Sequence, residues 1–130
     1  MVLALCACSA ATGTLMDAAT AVVSPDPWPT PQVAQPQSTP RILALWMNET
    51  TIPSGSDWYG RIVTSTNVAS VEIRTESFSF VAERTNFGEF SFRQHVLDMV
   101  PYYKRHYMLD VIARNAAGTQ TERLVPVEFR

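Results

Sequence analysis

The chain is poor in the residues that carry covalent or metal chemistry. Its 130 residues include only two cysteines, Cys6 and Cys8, and two histidines, His95 and His106. Because both thiols lie near the N-terminus, the rest of the chain has none for a disulfide, a zinc site or a thiolate nucleophile. Two cysteines separated by one residue are also badly placed to bridge each other, since the ring would be strained. Any folded core must therefore hold without covalent links.

Motifs of the common enzyme classes are missing as well. The sequence has no Gly-x-Ser-x-Gly, no His-Glu-x-x-His and no glycine-rich phosphate loop. The two histidines, with Asp98 and Asp110 nearby in sequence, offer a base and a carboxylate but no nucleophile at a recognisable turn. The acids Glu49, Asp57 and Glu89 are scattered, whereas a calcium loop needs paired acids. We therefore predict that the chain is not an enzyme and uses neither a cofactor nor a metal.

An excess of charge of one sign is also lacking. All ten lysines and arginines lie from Arg41 onward, and the same stretch keeps every acid except Asp17 and Asp26, so ten of the twelve acids balance the ten cations. A segment of about zero net charge gives no electrostatic reason to bind nucleic acid or acidic lipid. We therefore expect no nucleic-acid partner, and contact with a membrane only through a lipid anchor.

Residues 1–23 have the composition of an export leader. They are rich in Ala, Leu, Val, Ser and Thr, carry one charge at Asp17, and show neither strand alternation nor a polar helix face. A transmembrane helix is disfavoured because about 20 apolar residues are needed to cross a bilayer, and Gly13, Asp17 and several hydroxyl residues interrupt this stretch. The alternative is an apolar helix or a disordered leader with no role in export.

The run Leu5-Cys6-Ala7-Cys8-Ser9 resembles the signal of bacterial lipoproteins. In that family a leucine three residues before a cysteine, and a small residue just before it, allow cleavage and acylation of the cysteine. Cys8 fits the pattern best, because Ala7 precedes it, whereas the large Leu5 precedes Cys6. The resemblance implies lipidation of Cys8 and a protein exported to the bacterial cell envelope, either anchored there or secreted.

Residues 24–40 are rich in proline, which lacks an N–H and fixes φ. The prolines are Pro25, Pro27, Pro29, Pro31, Pro36 and Pro40. In the polyproline II conformation, at about 3.1 Å per residue, this stretch would hold a folded part up to about 50 Å from an anchor. We therefore predict a disordered linker over residues 24–40. The alternative is a docking peptide for a proline-binding groove, centred on Trp28.

Residues 41–130 contain about seven short runs of β-forming residues separated by turn signals, which is the pattern of an all-β sandwich. The runs cover residues 41–47, 58–65, 69–75, 77–83 and 89–95, a run from Tyr107 to the turn at Gly118, and 124–129. Apolar residues alternate along them, including Val71 and Ile73, the phenylalanines Phe78, Phe80, Phe90 and Phe92, and Tyr107, Leu109, Val111 and Ala113. Pro126 favours an edge position for the last strand, because proline cannot donate to a neighbouring strand.

Two passages resemble a known family. The pattern Tyr107-x-Leu109-x-Val111-x-Ala113-x-Asn115-x-x-Gly118, preceded by Gly88-Glu89-Phe90 and Val96-Leu97, is similar to the penultimate strand of bacterial immunoglobulin-like and fibronectin type III-like domains. Residues 65–72 are similar to the passage between the second and third strands of those modules. The resemblance covers residues 41–130 and implies an immunoglobulin-like antiparallel β-sandwich. Tyr107 would then occupy the tyrosine corner, where a phenol hydroxyl bonds back to the preceding connection.

Two aromatic pairs are candidate ligand-binding residues. Trp58 and Tyr59 follow a polar loop and would form a platform for a sugar ring if both were exposed; the alternative is that Trp58 packs in the core. Tyr102 and Tyr103 begin a segment that mixes aromatic and cationic residues. Such a segment can stack nucleic-acid bases, but in a module without net charge its tyrosines are expected to cover one end of the core.

Together these features predict a non-catalytic, immunoglobulin-like module of the cell envelope that binds or presents itself to a protein or a polysaccharide. It would use its loops or an edge strand such as residues 124–129. The alternative function is that of a carbohydrate-binding accessory domain that uses Trp58 and Tyr59.

Overall fold

The computed structural model describes residues 23–98 and 101–130. Residues 1–22, which carry the predicted leader and Cys8, lie outside the described residues. The strands of the described part are β1 (Ile42–Met47), β2 (Thr51–Ile52), β3 (Asp57–Thr64), β4 (Val68–Arg74), β5 (Ser79–Val81), β6 (Glu83–Asn86), β7 (Glu89–His95), β8 (His106–Asn115) and β9 (Gln120–Phe129). The predicted all-β fold is confirmed.

The strands form two sheets. The first sheet has the strand order β1-β3-β7-β6, and the second has the order β2-β9-β8-β4-β5. All neighbours are antiparallel except β2 and β9. Alternate side chains of each strand face the interior, as a period of two requires. The predicted apolar faces of β4 and β8 are confirmed, because Val71, Ile73, Leu109 and Val111 are 0% exposed.

Ala82 marks the point at which the chain changes sheets. Residues 79–81 pair with β4, whereas residues 83–86 pair with β7. Ala82 itself is buried, and its N–H donates to the carbonyl of Val71 at 2.8 Å. The sequence predicted one strand over residues 77–83, because no glycine or proline signals this change of direction. The split, and the two-residue strand β2, account for nine strands where about seven were expected.

Aromatic rings from both sheets meet at Trp58. The Trp58 ring makes edge-to-face contacts with the rings of Phe80, Phe92 and Phe129, at centroid distances of 6.0, 5.1 and 5.6 Å. Phe90 and Phe92 are buried as predicted, whereas Phe78 and Phe80 are only partly buried and lie at the margin of the core. Edge-to-face contacts add to the burial of apolar area, so this cluster joins the two sheets.

Residues 31–40, the tether, lie on the sandwich instead of standing clear of it. The carbonyl of Gln32 accepts a hydrogen bond from the Thr66 N–H at 2.8 Å, and the carbonyl of Ser38 accepts one from the Asn115 side chain at 3.0 Å. The predicted disordered linker is therefore wrong for this stretch. Prolines do not prevent such docking, because their carbonyls accept hydrogen bonds and the residues between them keep their N–H groups.

Replacing Gly88 by alanine should destabilise the chain more than replacing Gly118. Both glycines have positive φ, +74° and +90°, and that conformation costs an L-residue about 1–2 kcal/mol. A Cβ at Gly88 would also lie 2.6 Å from the Cβ of Pro31 and 2.8 Å from the carbonyl oxygen of Thr64, whereas a Cβ at Gly118 meets nothing within 4 Å. Urea denaturation of Gly88→Ala and Gly118→Ala checks this. Equal losses would contradict the docking of Pro31.

Candidate functional site

β3 places Trp58 and Tyr59 on opposite faces of the first sheet. Trp58 is 1% exposed and points into the core, whereas Tyr59 is half-buried on the outer face. The predicted sugar platform made of both rings is therefore wrong, because successive side chains of a strand point to opposite faces. The alternative, core packing of Trp58, is confirmed.

Tyr59 instead belongs to a group of aromatic and cationic side chains on the outside of the first sheet. Its ring meets the Trp46 ring edge-on at 5.9 Å, and the Arg93 guanidinium lies 4.4 Å from its centroid. The Arg61 guanidinium lies 4.4 Å from the ring centroid of Trp28. We call Trp28, Trp46, Tyr59, Arg61 and Arg93 the aromatic face. The alternation of apolar residues along β1 could have indicated the outward position of Trp46, whereas no sequence pattern indicates that of Trp28.

The histidines do not form the acid–base pairs considered from the sequence. His95 Nδ1 lies 2.9 Å from Asp57, which also pairs with Arg93 at 3.5 Å. His106, on the other sheet, lies 3.9 Å from Glu128. Exposed ion pairs of this kind contribute about 0–1 kcal/mol. Within residues 23–98 and 101–130, no three His, Cys, Asp or Glu side chains are grouped so as to hold a metal ion.

β6 covers only half of β7. The pairing of the two strands ends at Glu83 and Ser91, because the chain then crosses to the second sheet, whereas β7 continues to His95. We call the open space beside residues 92–95 the notch. An uncovered strand edge presents unpaired backbone groups that another chain can meet.

The backbone groups of Arg93 and His95 point into the notch. The N–H of Val96 donates to the carbonyl at position 56 at 2.9 Å, and its carbonyl accepts from the N–H at position 55 at 2.6 Å, so Val96 faces the β3 side. Hydrogen-bonding direction alternates along a strand, so positions 92 and 94 also face β3, and Arg93 and His95 face away from it. No strand of the described part pairs with them on that side.

Two cavities flank the notch. The outer cavity, of about 490 Å³, is lined by Tyr59, Glu83, Ser91 and Arg93 among others. The inner cavity, of about 300 Å³, lies between the sheets, and its wall is mostly apolar: Trp58, Phe78, Phe80, Val96, Leu97 and Phe129. Gln94 borders both cavities. The notch is thus a groove with a polar outer side and an apolar inner side.

Tyr102 and Tyr103 lie at one end of the sandwich and are 70% and 44% exposed. The Arg105 guanidinium lies 5.4 Å from the Tyr102 ring centroid and also pairs with Glu76 at 2.8 Å. The hydroxyl of Tyr107 donates to the Tyr103 carbonyl at 3.0 Å, which is the bond that the resemblance to immunoglobulin-like domains implied. The ligand-binding role of the two tyrosines stays a prediction.

The edge strand predicted at residues 124–129 is covered only at its C-terminal end. β2 pairs with its last two residues, and the Arg123 guanidinium donates to the Ile42 carbonyl at 2.9 Å. Pro126 does lie on a strand with no neighbour beyond it at that position, as predicted, and it offers no N–H there. Residues 124–127 therefore keep one open edge in addition to that of β7, but Pro126 interrupts its donors.

The outer face of the second sheet holds a pair of interacting carboxyl groups. Burial and the neighbouring Glu122, with a smaller contribution from Glu72, raise the pKa of Asp110 from its usual 3.8 to about 6. Arg74 opposes this change. The hydrogen bond from Asp110 holds the pKa of Glu122 below its usual value. In mildly acidic solution the proton of this pair therefore resides on Asp110.

The free energy of unfolding is expected to fall as the pH rises between the usual pKa of Asp110, 3.8, and its folded value of about 6. In that window the folded chain keeps a proton that the unfolded chain has released, so raising the pH favours unfolding. Glu122 acts in the opposite direction, but only below its usual pKa of 4.5. Urea denaturation across this pH range should show a flatter profile for Asp110→Asn. The exposed Asp98→Asn is the control, and an unchanged profile in Asp110→Asn would contradict the raised pKa of Asp110.

Comparison with known proteins does not assign the chain to a family. No protein-family model matches it, and no curated protein matches it. Over the residues that the structure describes, no helix has the length and apolar character needed to span a membrane. The function must therefore be inferred from the geometry of the site and from the sequence.

Proposed function

We propose that the chain is an exported, non-catalytic module that binds a protein or polysaccharide of the cell envelope through the notch. The observation that carries this proposal is the incomplete first sheet, in which β6 leaves half of β7 uncovered. The uncovered half brings free backbone groups and an apolar cavity of about 300 Å³ side by side. Such a surface is suited to recognition of an extended partner.

The strand order supports an immunoglobulin-like architecture. Immunoglobulin domains place strands A, B, E and D in one sheet and strands C, F and G in the other. The orders β1-β3-β7-β6 and β9-β8-β4-β5 follow this arrangement when β1 is taken as A and β9 as G. The hydrogen bond from Tyr107 to Tyr103 lies where the tyrosine corner of these domains is expected. Modules of this kind often act by contact, with loops and edges as their binding surfaces.

Export and a lipid anchor are proposed from the leader sequence. The run from Leu5 to Ser9 resembles a bacterial lipoprotein signal, with Cys8 as the acylated residue. Lipidation of one cysteine adds about 0.8 kcal/mol of membrane affinity per buried methylene, so a diacyl group anchors a chain stably. The module would then bind its partner while it is held at the membrane surface.

The mass of the protein recovered from its host tests the anchor. We expect a chain that begins at Cys8 and carries a diacyl or triacyl group in the membrane fraction. Cys8→Ala should lose this modification, because the acylated thiol is gone. Cys6→Ala is the matched control and should keep it, since Cys6 would be removed with the leader. An unmodified, full-length, soluble chain would refute the anchored form of the proposal.

Sedimentation of the full chain with envelope material of the host tests the binding site. Gln94→Trp should weaken binding at least about tenfold, or about 1.4 kcal/mol, because the new ring would fill the groove between the two cavities that Gln94 borders. Gln37→Trp is the matched control, since Gln37 lies exposed on the tether. Wild-type binding by Gln94→Trp would show that the notch is not the binding site.

Carbohydrate binding is the second candidate function. The observation that favours it is the aromatic face, in which Tyr59 lines the outer cavity and contacts Trp46, while Trp28 lies against Arg61. Sugar C–H groups pack on aromatic rings, but Arg61 and Arg93 already cover two of these rings. In the same sedimentation assay, with the polysaccharide fraction alone, this function predicts a loss of binding for Tyr59→Ala and none for Gln94→Trp.

A further inference from the structure

We propose that the occupant of the notch is an extended polypeptide segment that adds an antiparallel strand to the first sheet beside residues 92–95. This inference rests on the proposed function and narrows its partner from an envelope polymer to a protein. The added strand would continue the line of β6, which pairs with β7 in the antiparallel direction up to Ser91. It would complete a sheet that the chain itself leaves unfinished.

The spacing of the free backbone groups matches a strand. Arg93 and His95 each direct one N–H and one carbonyl into the notch, and they lie two residues apart on β7. Two residues of extended chain span about 6.8 Å, which is the repeat of hydrogen-bonding groups along any partner strand. A polypeptide presents alternating donors and acceptors at this repeat, so both residues can exchange paired bonds with it.

The two sides of the notch specify what side chains the segment carries. Alternate side chains of an added strand would face the inner cavity, whose wall is apolar and whose rim includes Leu97, 72% exposed. These positions call for aliphatic residues. The other side chains would face Arg93 and His95, which share the single carboxylate of Asp57. An acidic residue at these positions would give the Arg93 guanidinium, which lies 3.5 Å from Asp57, a second carboxylate on the facing strand.

A second copy of this chain fits the notch less well. Antiparallel pairing of two β7 edges about Gln94 would place Arg93 of one copy opposite His95 of the other. Such a pairing offers the Arg93 guanidinium no carboxylate from the facing strand, since Arg93, Gln94 and His95 carry none. An acidic, aliphatic segment of a different protein supplies that carboxylate and is therefore favoured over self-association.

The test compares one unmodified peptide, the probe, with two N-methylated forms of it. The probe is Ac-Glu-Val-Glu-Leu-Glu-Val-Gly-NH₂, added to the isotope-labelled full chain and followed by NMR titration and amide exchange. In antiparallel pairing, the residue opposite Arg93 shares its side of the sheet and directs its own N–H toward β7. The glutamate N–H groups therefore bond to β7, and the valine and leucine N–H groups point away.

The expected result is a difference between these peptides. The unmodified probe should slow amide exchange at Arg93 and His95, and N-methylation of its glutamates should weaken binding at least about tenfold. N-methylation of its valines and leucine, the matched control, should change binding less than about twofold. On the protein side, Gln94→Trp should abolish the effect and Gln37→Trp should not.

Three results would overturn the inference: no binding of the probe, binding without protection of Arg93 and His95, or equal binding of the two N-methylated peptides. The proposed function is judged separately by sedimentation with envelope material. If the chain sediments with that material through the notch while the probe fails, the partner is not an added strand but the binding module stands. If the chain neither binds the probe nor sediments with the envelope material, both proposals are wrong.

Discussion

Replacement of Trp58 by alanine is expected to lower the free energy of unfolding by about 3–5 kcal/mol. Trp58 is 1% exposed and its ring contacts Phe92 in the first sheet and Phe80 and Phe129 in the second. Its removal leaves a cavity between two hydrogen-bonded sheets, which cannot collapse without breaking strand pairing. Urea denaturation of the full chain, followed by circular dichroism, measures the loss. Against a net stability of about 5–15 kcal/mol, this change brings the chain close to unfolding.

Trp58→Phe is the matched control for this prediction. The indole N–H of Trp58 has no hydrogen-bond partner among the described residues, so phenylalanine removes size but no hydrogen bond. An unpartnered buried donor costs about 1–3 kcal/mol, and its removal offsets part of the lost contact. The loss should therefore be less than half of that for alanine. Equal losses for the two variants would contradict ring packing as the source of the stability.

Replacement of Gly60 by valine is expected to lower the free energy of unfolding by about 3 kcal/mol. Gly60 lies in β3, between Met47 of β1 and Phe92 of β7. A Cβ there would overlap the carbonyl oxygen of Trp46 and approach the Phe92 ring to 2.5 Å. The carbonyl belongs to a paired strand and cannot withdraw, so the first sheet would have to separate locally.

Gly55→Val is the control for Gly60→Val, because it adds the same side chain at a position with free space. A Cβ at Gly55 meets nothing within 4 Å, although its φ of +81° makes any side chain strained. Gly55→Val should thus show only the cost of that backbone conformation, about 1–2 kcal/mol. If Gly60→Val were no more damaging than Gly55→Val in the same denaturation experiment, β1 and β7 would not approach β3 as closely as described.

The sequence was sufficient for the fold class because strand faces follow a period of two. Val71, Ile73, Leu109 and Val111 were assigned to the interior from alternation alone, and all are 0% exposed. Pro126 likewise indicated an edge, because a missing N–H is a property of one residue. Such inferences need only local information.

The features that make the candidate site depend on distant residues and were not predictable in this way. Trp28 meets Arg61 across 33 positions of sequence, and Gln32 docks beside Ser65 across a similar distance. The notch exists because the chain changes sheets at Ala82, a position with no turn residue to announce it. The platform predicted from Trp58 and Tyr59 combined residues on opposite faces of β3, whereas the alternative, Trp58 in the core, is confirmed.

Hydrogen–deuterium exchange of the full chain, free and bound to envelope material of its host, tests whether the notch is the binding surface. We expect slower exchange over residues 89–98 on binding, because a partner in the notch would cover the open half of β7. Exchange over residues 101–106, which include Tyr102 and Tyr103, should not change. Binding that protects only residues 101–106, and leaves residues 89–98 as exposed as in the free chain, would contradict the notch as the binding surface.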